Sequence, residues 1–234
     1  MSTDLFDLTE HYTEMLEKGI RLSGEDQHFF IRGRLNDLTR FLASRDSRPR
    51  RILDFGCGLG HTTAEFSKLY PDATVVGIDT AAQAIEFGRT HHGSSRTSFE
   101  VLERFVPDES FDLCYCNGVF HHIPLNERDG AMGVVYRSLV PGGRFALFEN
   151  NPLNPGTRMV MRRIPFDRDA NTLLPWETVR LLKRAGFQVT HRPRSLFYFP
   201  RMLSGLRGLE PYLAGLPFGA QYWAVGSKPV SGRG

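Results

Sequence analysis

Residues 52 to 60 read Ile-Leu-Asp-Phe-Gly-Cys-Gly-Leu-Gly, a β-prone run that ends in a carboxylate, Asp54, and then places glycine at every second position. Glycine adopts positive φ without strain and puts no Cβ between main chain and ligand, so Gly56, Gly58 and Gly60 suit a loop that a ligand presses against. Loops that hold two phosphates use Gly-x-Gly-x-x-Gly and avoid a carboxylate beside the anion. This one, with Asp54 at the strand's mouth, points to a cationic nucleoside. A second carboxylate, Asp79, closes the run Ala-Thr-Val-Val-Gly-Ile-Asp, 19 residues after Gly60. It can accept both hydroxyls of a ribose or cap the helix that follows. A histidine pair, His121-His122, follows a further strand pattern, and imidazole is the side chain best suited to proton transfer near neutral pH. His91-His92 fall at the end of a surface helix pattern and are expected in solvent.

Positioning these groups requires a sheet. Short apolar runs near 51–55, 73–79, 97–102, 111–116, 144–149, 187–191 and 221–227 alternate with helical patterns at 61–70, 80–91, 126–139 and 175–185. That rhythm predicts an α/β fold with a doubly wound, mostly parallel, seven-stranded sheet. Right-handed crossovers gather ligands at the carboxyl ends of such strands, where Asp54, Asp79 and the histidine pair all fall. Two regions break the rhythm. Residues 1–45 are helical in pattern and read as a lid. Residues 150–173 open with Asn-Asn-Pro-Leu-Asn-Pro-Gly and contain Pro165, so they cannot be one uninterrupted helix; an irregular insertion after a strand end usually carries specificity. A shorter insertion between Phe199 and Ala220 would pack over the same opening. The chain reads as one domain, 1–234, with the lid at 1–45, a cofactor-binding half at 46–149 and an acceptor-side half at 150–234.

With 234 residues, 41% of them apolar and 24% charged, the chain can bury a full core. No stretch approaches the roughly 20 apolar residues of a membrane span. Asp4, Asp7 and Glu10 stand where a signal peptide would be basic. A cytoplasmic protein with no membrane partner is expected. Cys57, Cys114 and Cys116 are too few for a disulfide framework; Cys114 and Cys116 are expected on opposite faces of their strand, all three reduced, with no metal bound. The net charge of +3 is mild and the arginine clusters lack interleaved aromatics, which argues against nucleic acid. Of those clusters, Arg158, Arg162, Arg163 and Arg168 either meet an anionic acceptor or form the polar face of a short helix.

Four motifs occur in a telling order: Asp54-Phe-Gly-Cys-Gly-Leu-Gly, Gly77-Ile-Asp79, Ser110-Phe-Asp-Leu-Cys-Tyr-Cys-Asn-Gly-Val-Phe-His-His-Ile-Pro124, and Leu139-Val-Pro-Gly-Gly-Arg-Phe-Ala-Leu-Phe148. Together they resemble the class I S-adenosylmethionine-dependent methyltransferases, closely over residues 50–150 and more loosely beyond. The likeness is strongest to the small-molecule branch of quinone-biosynthesis and natural-product enzymes. It implies a Rossmann-like methyltransferase fold and S-adenosylmethionine as cofactor, with S-adenosylhomocysteine as product. It also implies that Gly56, Cys57 and Gly58 hold the methionine part through backbone groups, with Asp54 near its ammonium. Asp79 would take the ribose, Thr80 would lie against the adenine, Glu103 or Glu100 would bind the adenine amino group, and Asn117 would contact the methionine part.

Methyl transfer is an in-line displacement at a sulfonium carbon, so alignment and exclusion of water supply much of the catalysis. A phenol, enol or activated aromatic carbon also benefits from a base. His121 is the candidate base, with packing as its alternative, and His122 is a candidate acceptor contact. Tyr12 would gate the site or pack in the core. Asn150, Phe166 and Tyr198 are the remaining acceptor-side candidates; turn formation would account for Asn150, and Phe166 and Tyr198 could equally be core. The expected acceptor is a small molecule, a phenolic or aromatic secondary metabolite methylated at carbon or oxygen, and the chain a monomer or homodimer. The alternatives are methylation of protein or RNA, which expects an open cleft, and a binding module that transfers nothing. A nicotinamide oxidoreductase would need Gly-x-Gly-x-x-Gly and Tyr-x-x-x-Lys, and the chain has neither.

Overall fold

The run that opens the glycine loop forms the centre of a sheet. The computed structural model describes residues 15, 18–165, 167, 168 and 170–230, with Leu22 described by its backbone alone. In it β1 (Arg51–Phe55) pairs in parallel with β2 (Thr74–Asp79) and β4 (Phe111–Asn117). β3 (Thr97–Val101), β5 (Leu139–Asn150), β6 (Gln188–Leu196) and β7 (Gln221–Ser227) complete the order β3-β2-β1-β4-β5-β7-β6, with β7 antiparallel to both its neighbours. The helices are α1 (Gln27–Ala43), α2 (His61–Leu69), α3 (Ala82–His92), α4 (Arg128–Ser138), α5 (Pro155–Arg163), α6 (Pro175–Arg184) and the short α7 (Glu210–Leu213). This is the expected doubly wound, mostly parallel fold of seven strands. No described helix is long and apolar enough to cross a membrane.

Strand alternation fills two core layers. Leu113 and Tyr115 of β4 join Ile52, Val75 and residues of α1 and α2 on one face, while Cys114 and Cys116 join Leu53, Phe55 and residues of α4 and α6 on the other. The two cysteines therefore share a face, contrary to expectation, because side chains two apart on a strand always do. Both are buried free thiols. On α1, Asp26 caps the first turn by accepting Phe29 N at 2.7 Å. Ile31, Leu35, Leu38 and Leu42 recur at helical spacing and are all buried, each stabilising the fold by about 2 kcal/mol. One face of residues 27–43 is thus a layer of the core. Residues 1–14 of the expected lid, with Tyr12, lie outside the described residues, as does Phe166.

Two strands run longer than their apolar runs. β5 begins at Leu139 because Gly142, at φ 83°, and Gly143 form an irregularity within it, where a turn between elements was expected. β6 continues through Pro193 to Leu196. It is an edge strand, where a missing N–H costs no ladder bond, and its register shifts between His191 and Arg194.

Candidate functional site

β1 delivers Asp54 to the carboxyl edge of the sheet, and the chain turns at once. Gly56, Gly58 and Gly60 have φ of 74°, 51° and 83°. Gly56 N and Cys57 N both donate to Ile78 O, at 2.8 and 3.0 Å, which stitches the loop to β2. A Cβ on Gly56 would stand 2.3 Å from Val119 Cγ2, and one on Gly60 2.4 Å from Phe99 Cε1. Packing requires glycine at both. Gly58 differs: a Cβ there would meet nothing within 4 Å, so the loop presents open main chain at that point.

Two carboxylates frame this loop. Asp54 is buried and accepts a 2.7 Å hydrogen bond from Thr63 Oγ1; burial outweighs that bond and pushes its pKa up to about 7, with Asp79 adding to the rise. A buried acid of this kind gains from a cation placed beside it. Asp79 Oδ2 accepts Gly58 N at 2.8 Å and its Oδ1 accepts Ala81 N at 3.0 Å, so it anchors the glycine loop to the start of α3. Burial raises its pKa against the lowering effect of those donors, and nearby Glu103 raises it further. Glu103 is exposed in the single 3-10 turn past β3, whereas Glu100 lies within β3 opposite Ile78. Thr80 is exposed next to Asp79, and the half-buried Cys57 directs its thiol to Gly58 O at 3.6 Å.

A polar chain crosses the middle of the edge. Arg34, buried on α1, donates from Nε to Tyr115 Oη and from Nη1 to Gln221 Oε1, both at 3.1 Å. Gln221 Nε2 donates in turn to Asn150 Oδ1 at 3.1 Å and reaches Asn117 Oδ1 at 3.4 Å. Asn150 is therefore part of this chain, while Asn151 makes the turn, accepting Leu153 N and donating to Pro217 O and Gly219 O. Tyr198 packs edge-on against Phe29 and Phe30, and burial raises the pKa of its hydroxyl, which has no hydrogen-bond partner among the described residues.

On the acceptor side the histidine pair meets two carboxylates. His121 Nδ1 lies 2.6 Å from Glu149 Oε2 and its Nε2 3.4 Å from Asp167 Oδ1, and only 2% of the side chain is exposed. Glu149 Oε1 also accepts Phe120 N at 2.9 Å. Burial would drive the proton off His121, but Glu149 and Asp167 outweigh it and raise its pKa to about 9. Both ring nitrogens of His121 thus face carboxylates in a buried setting. His122 is 19% exposed and sets Nε2 3.1 Å from the same Asp167 Oδ1. Burial would raise the pKa of Asp167, yet its bonds to both histidines hold it below the usual carboxylate range. His121, His122 and Asp167 lie close enough to share a metal ion. Both His121 nitrogens also lie within reach of carboxylates, Glu149 and Asp167.

A model of a methyltransferase domain matches residues 53–145. Demethylmenaquinone methyltransferase of Deinococcus radiodurans is 30% identical over 192 residues, covering 77% of this chain and 76% of that protein. The chain belongs to the class I S-adenosylmethionine-dependent methyltransferases. Trans-aconitate 2-methyltransferase of Methylobacterium radiotolerans is 29% identical over 116 residues, a match that spans 50% of this chain and 44% of that protein. A crystal structure of an S-adenosylmethionine-dependent methyltransferase from Archaeoglobus fulgidus superposes over 93% of this chain and 100% of that one, with a TM-score of 0.69 at 15% identity. The methyl donor is S-adenosylmethionine, and the open main chain at Gly58 beside buried Asp54 fits a nucleoside that carries a cation.

In this methyltransferase several polar residues of the edge escaped the sequence reading. Arg34 carried a signal, since it sits at helical spacing between Ile31 and Leu38 on the buried stripe of α1, where an unpaired charge would be costly. Glu149, one residue beyond the apolar end of β5, carried a weaker one. Asp167 carried none. Its position depends on the chain returning after α5, where Asn171 N donates to His121 O at 2.9 Å.

Proposed function

We propose that this methyltransferase acts on a small apolar acceptor with an ionisable oxygen or activated ring carbon, of the phenol or quinol type, and that His122 serves the acceptor. The observation that carries the reading is the His121–Glu149–Asp167–His122 network at the carboxyl edge, on the side of β4 and β5. The relative from Deinococcus, whose name specifies demethylmenaquinone, supports the acceptor class because it matches along most of both chains. In this reading Asp54 faces the ammonium of the donor, and the backbone of Gly56, Cys57 and Gly58 carries its methionine part. Asp79 takes the ribose while holding Gly58 N, Thr80 and Glu103 lie toward the adenine, and Asn117 borders the methionine part. When bound, the donor's sulfonium supplies an activated methyl group. Asp167 fixes the tautomer and orientation of His122, which accepts the acceptor's proton as the new bond to the methyl forms. His121, held protonated between Glu149 and Asp167, positions Asp167. Asn150 and Tyr198 border the acceptor.

The test is a mass-spectrometric screen with methyl-labelled S-adenosylmethionine against polyprenyl quinols, simple phenols, sterols and short polycarboxylic acids. Label in a quinol or phenol supports the reading. Label confined to carboxylic acids, or to none of the four, overturns it.

A further inference from the structure

The connection from the end of β6 to the start of β7 crosses the same carboxyl edge as the glycine loop and the histidine pair. It folds into the 3-10 segment Arg201–Leu209 and α7, and neither contains a buried residue. The composition makes this anomalous. Met202 and Tyr212 are 86% and 85% exposed, and Leu203, Leu206, Leu209, Leu216 and Phe218 are all exposed as well. What ties the segment to the body is polar. Arg207 pairs with Glu25 at 2.6 Å and lies over the Phe29 ring, Glu210 accepts Phe199 N at 2.6 Å, and Ala214 O accepts Ser195 N at 3.0 Å. A helical segment of a water-facing protein turns its apolar side to the core and its polar side outward. This one does the reverse, over a larger contiguous run than isolated surface leucines explain.

The apolar run continues onto a basic surface. Asn154, at the start of α5, donates to Phe218 O at 2.7 Å, and Thr157 Oγ1 to Ala220 O at 2.7 Å, which fixes α5 beside the segment. Arg158, Met159, Arg162 and Arg163 of α5 line a depression there. None of those arginines forms an ion pair among the described residues. From Pro155 to Arg163 the charge is three arginines and no acid, and across Arg201–Leu216 it is two arginines and one glutamate.

We propose that this face docks on an anionic phospholipid bilayer, with Met202, Leu206, Leu209 and Tyr212 entering the interface and Arg158, Arg162 and Arg163 meeting the headgroups. Apolar side chains flanked by arginine are the chemistry of an interfacial segment. The charge of α5 selects an anionic surface over an apolar protein face. The site opening then faces the bilayer, so that an acceptor dissolved in lipid enters without crossing water. That delivery rests on the methyl transfer proposed above, whereas the docking does not.

The test is sedimentation of the whole chain with sucrose-loaded vesicles of phosphatidylcholine alone and with one third phosphatidylglycerol. Binding is expected to the anionic vesicles and not to the neutral ones. It should fall about five-fold for each of Arg158→Glu and Arg162→Glu, and at least about ten-fold for Leu206→Glu combined with Leu209→Glu. All these side chains are exposed, so calorimetric titration of S-adenosylmethionine should give wild-type affinity and certify the fold. Failure to bind anionic vesicles overturns docking. So does wild-type binding no stronger than that of the double variant, the result expected if residues 1–14 or a second copy of the chain already cover the face. Neither result bears on methyl transfer, which is read in detergent-dispersed acceptor.

Discussion

The two sides of the sheet build their parts of the site by opposite means. On the β1–β3 side the donor loop is main chain: three glycines within five residues, stitched to Ile78 O and held by Asp79. On the β4–β5 side the site is side chain: His121, Glu149 and Asp167 come from positions up to 46 residues apart and are buried together. A backbone site is vulnerable to any added Cβ. A buried ionic site is vulnerable to the loss of one partner, which strands the other's charge.

The largest effect should therefore lie on the acceptor side. Glu149→Ala leaves His121 and Phe120 N without their acceptor and should cost about 4 kcal/mol of stability, read by urea denaturation. A cost below about 1 kcal/mol, as for an exposed pair, would show that the network is not a buried ionic unit. Gly56→Ala comes next. It adds a Cβ at positive φ against Val119 and should cost about 3 kcal/mol, and the donor should no longer bind.

The pH dependence follows from His121. Its folded pKa, about 9, lies above the ordinary imidazole value, so its stabilising effect is complete below about pH 6.5 and is lost as pH rises through 9. The unfolding free energy read by urea denaturation should fall between pH 7 and 10, by up to about 3 kcal/mol. His121→Gln should flatten that fall. The smallest stability effect belongs to Gly58→Ala, about 1 kcal/mol for its left-handed φ. Because the space over Gly58 is where the donor is expected to lie, this variant should nonetheless lose S-adenosylmethionine affinity in calorimetry. Loss of both in equal measure would merge the roles of Gly56 and Gly58.

The same contrast explains what could be read from sequence. The fold class and the succession of strands and helices were legible because their determinants are contiguous: an apolar run, a glycine-rich turn, a helical period. Strand ends were misjudged where one residue misled, at Gly142-Gly143 within β5 and at Pro193 on the edge strand β6. The choice between His121 and His122 was not legible, since only the fold brings Glu149 and Asp167 to them. Nor was the outward-facing segment 201–216, expected to pack over the site's opening, whose leucines are exposed.

The central claim is that His122 meets the acceptor while His121 is locked beneath it. Turnover of the labelled acceptor should be measured for His122→Ala and His121→Gln alongside donor affinity by calorimetry. The account predicts about a 100-fold loss of kcat for His122→Ala, with donor affinity unchanged and the fold retained, and a smaller kcat loss but a larger loss of stability for His121→Gln. Wild-type turnover in His122→Ala, or a greater loss of turnover in a folded His121→Gln, would contradict it.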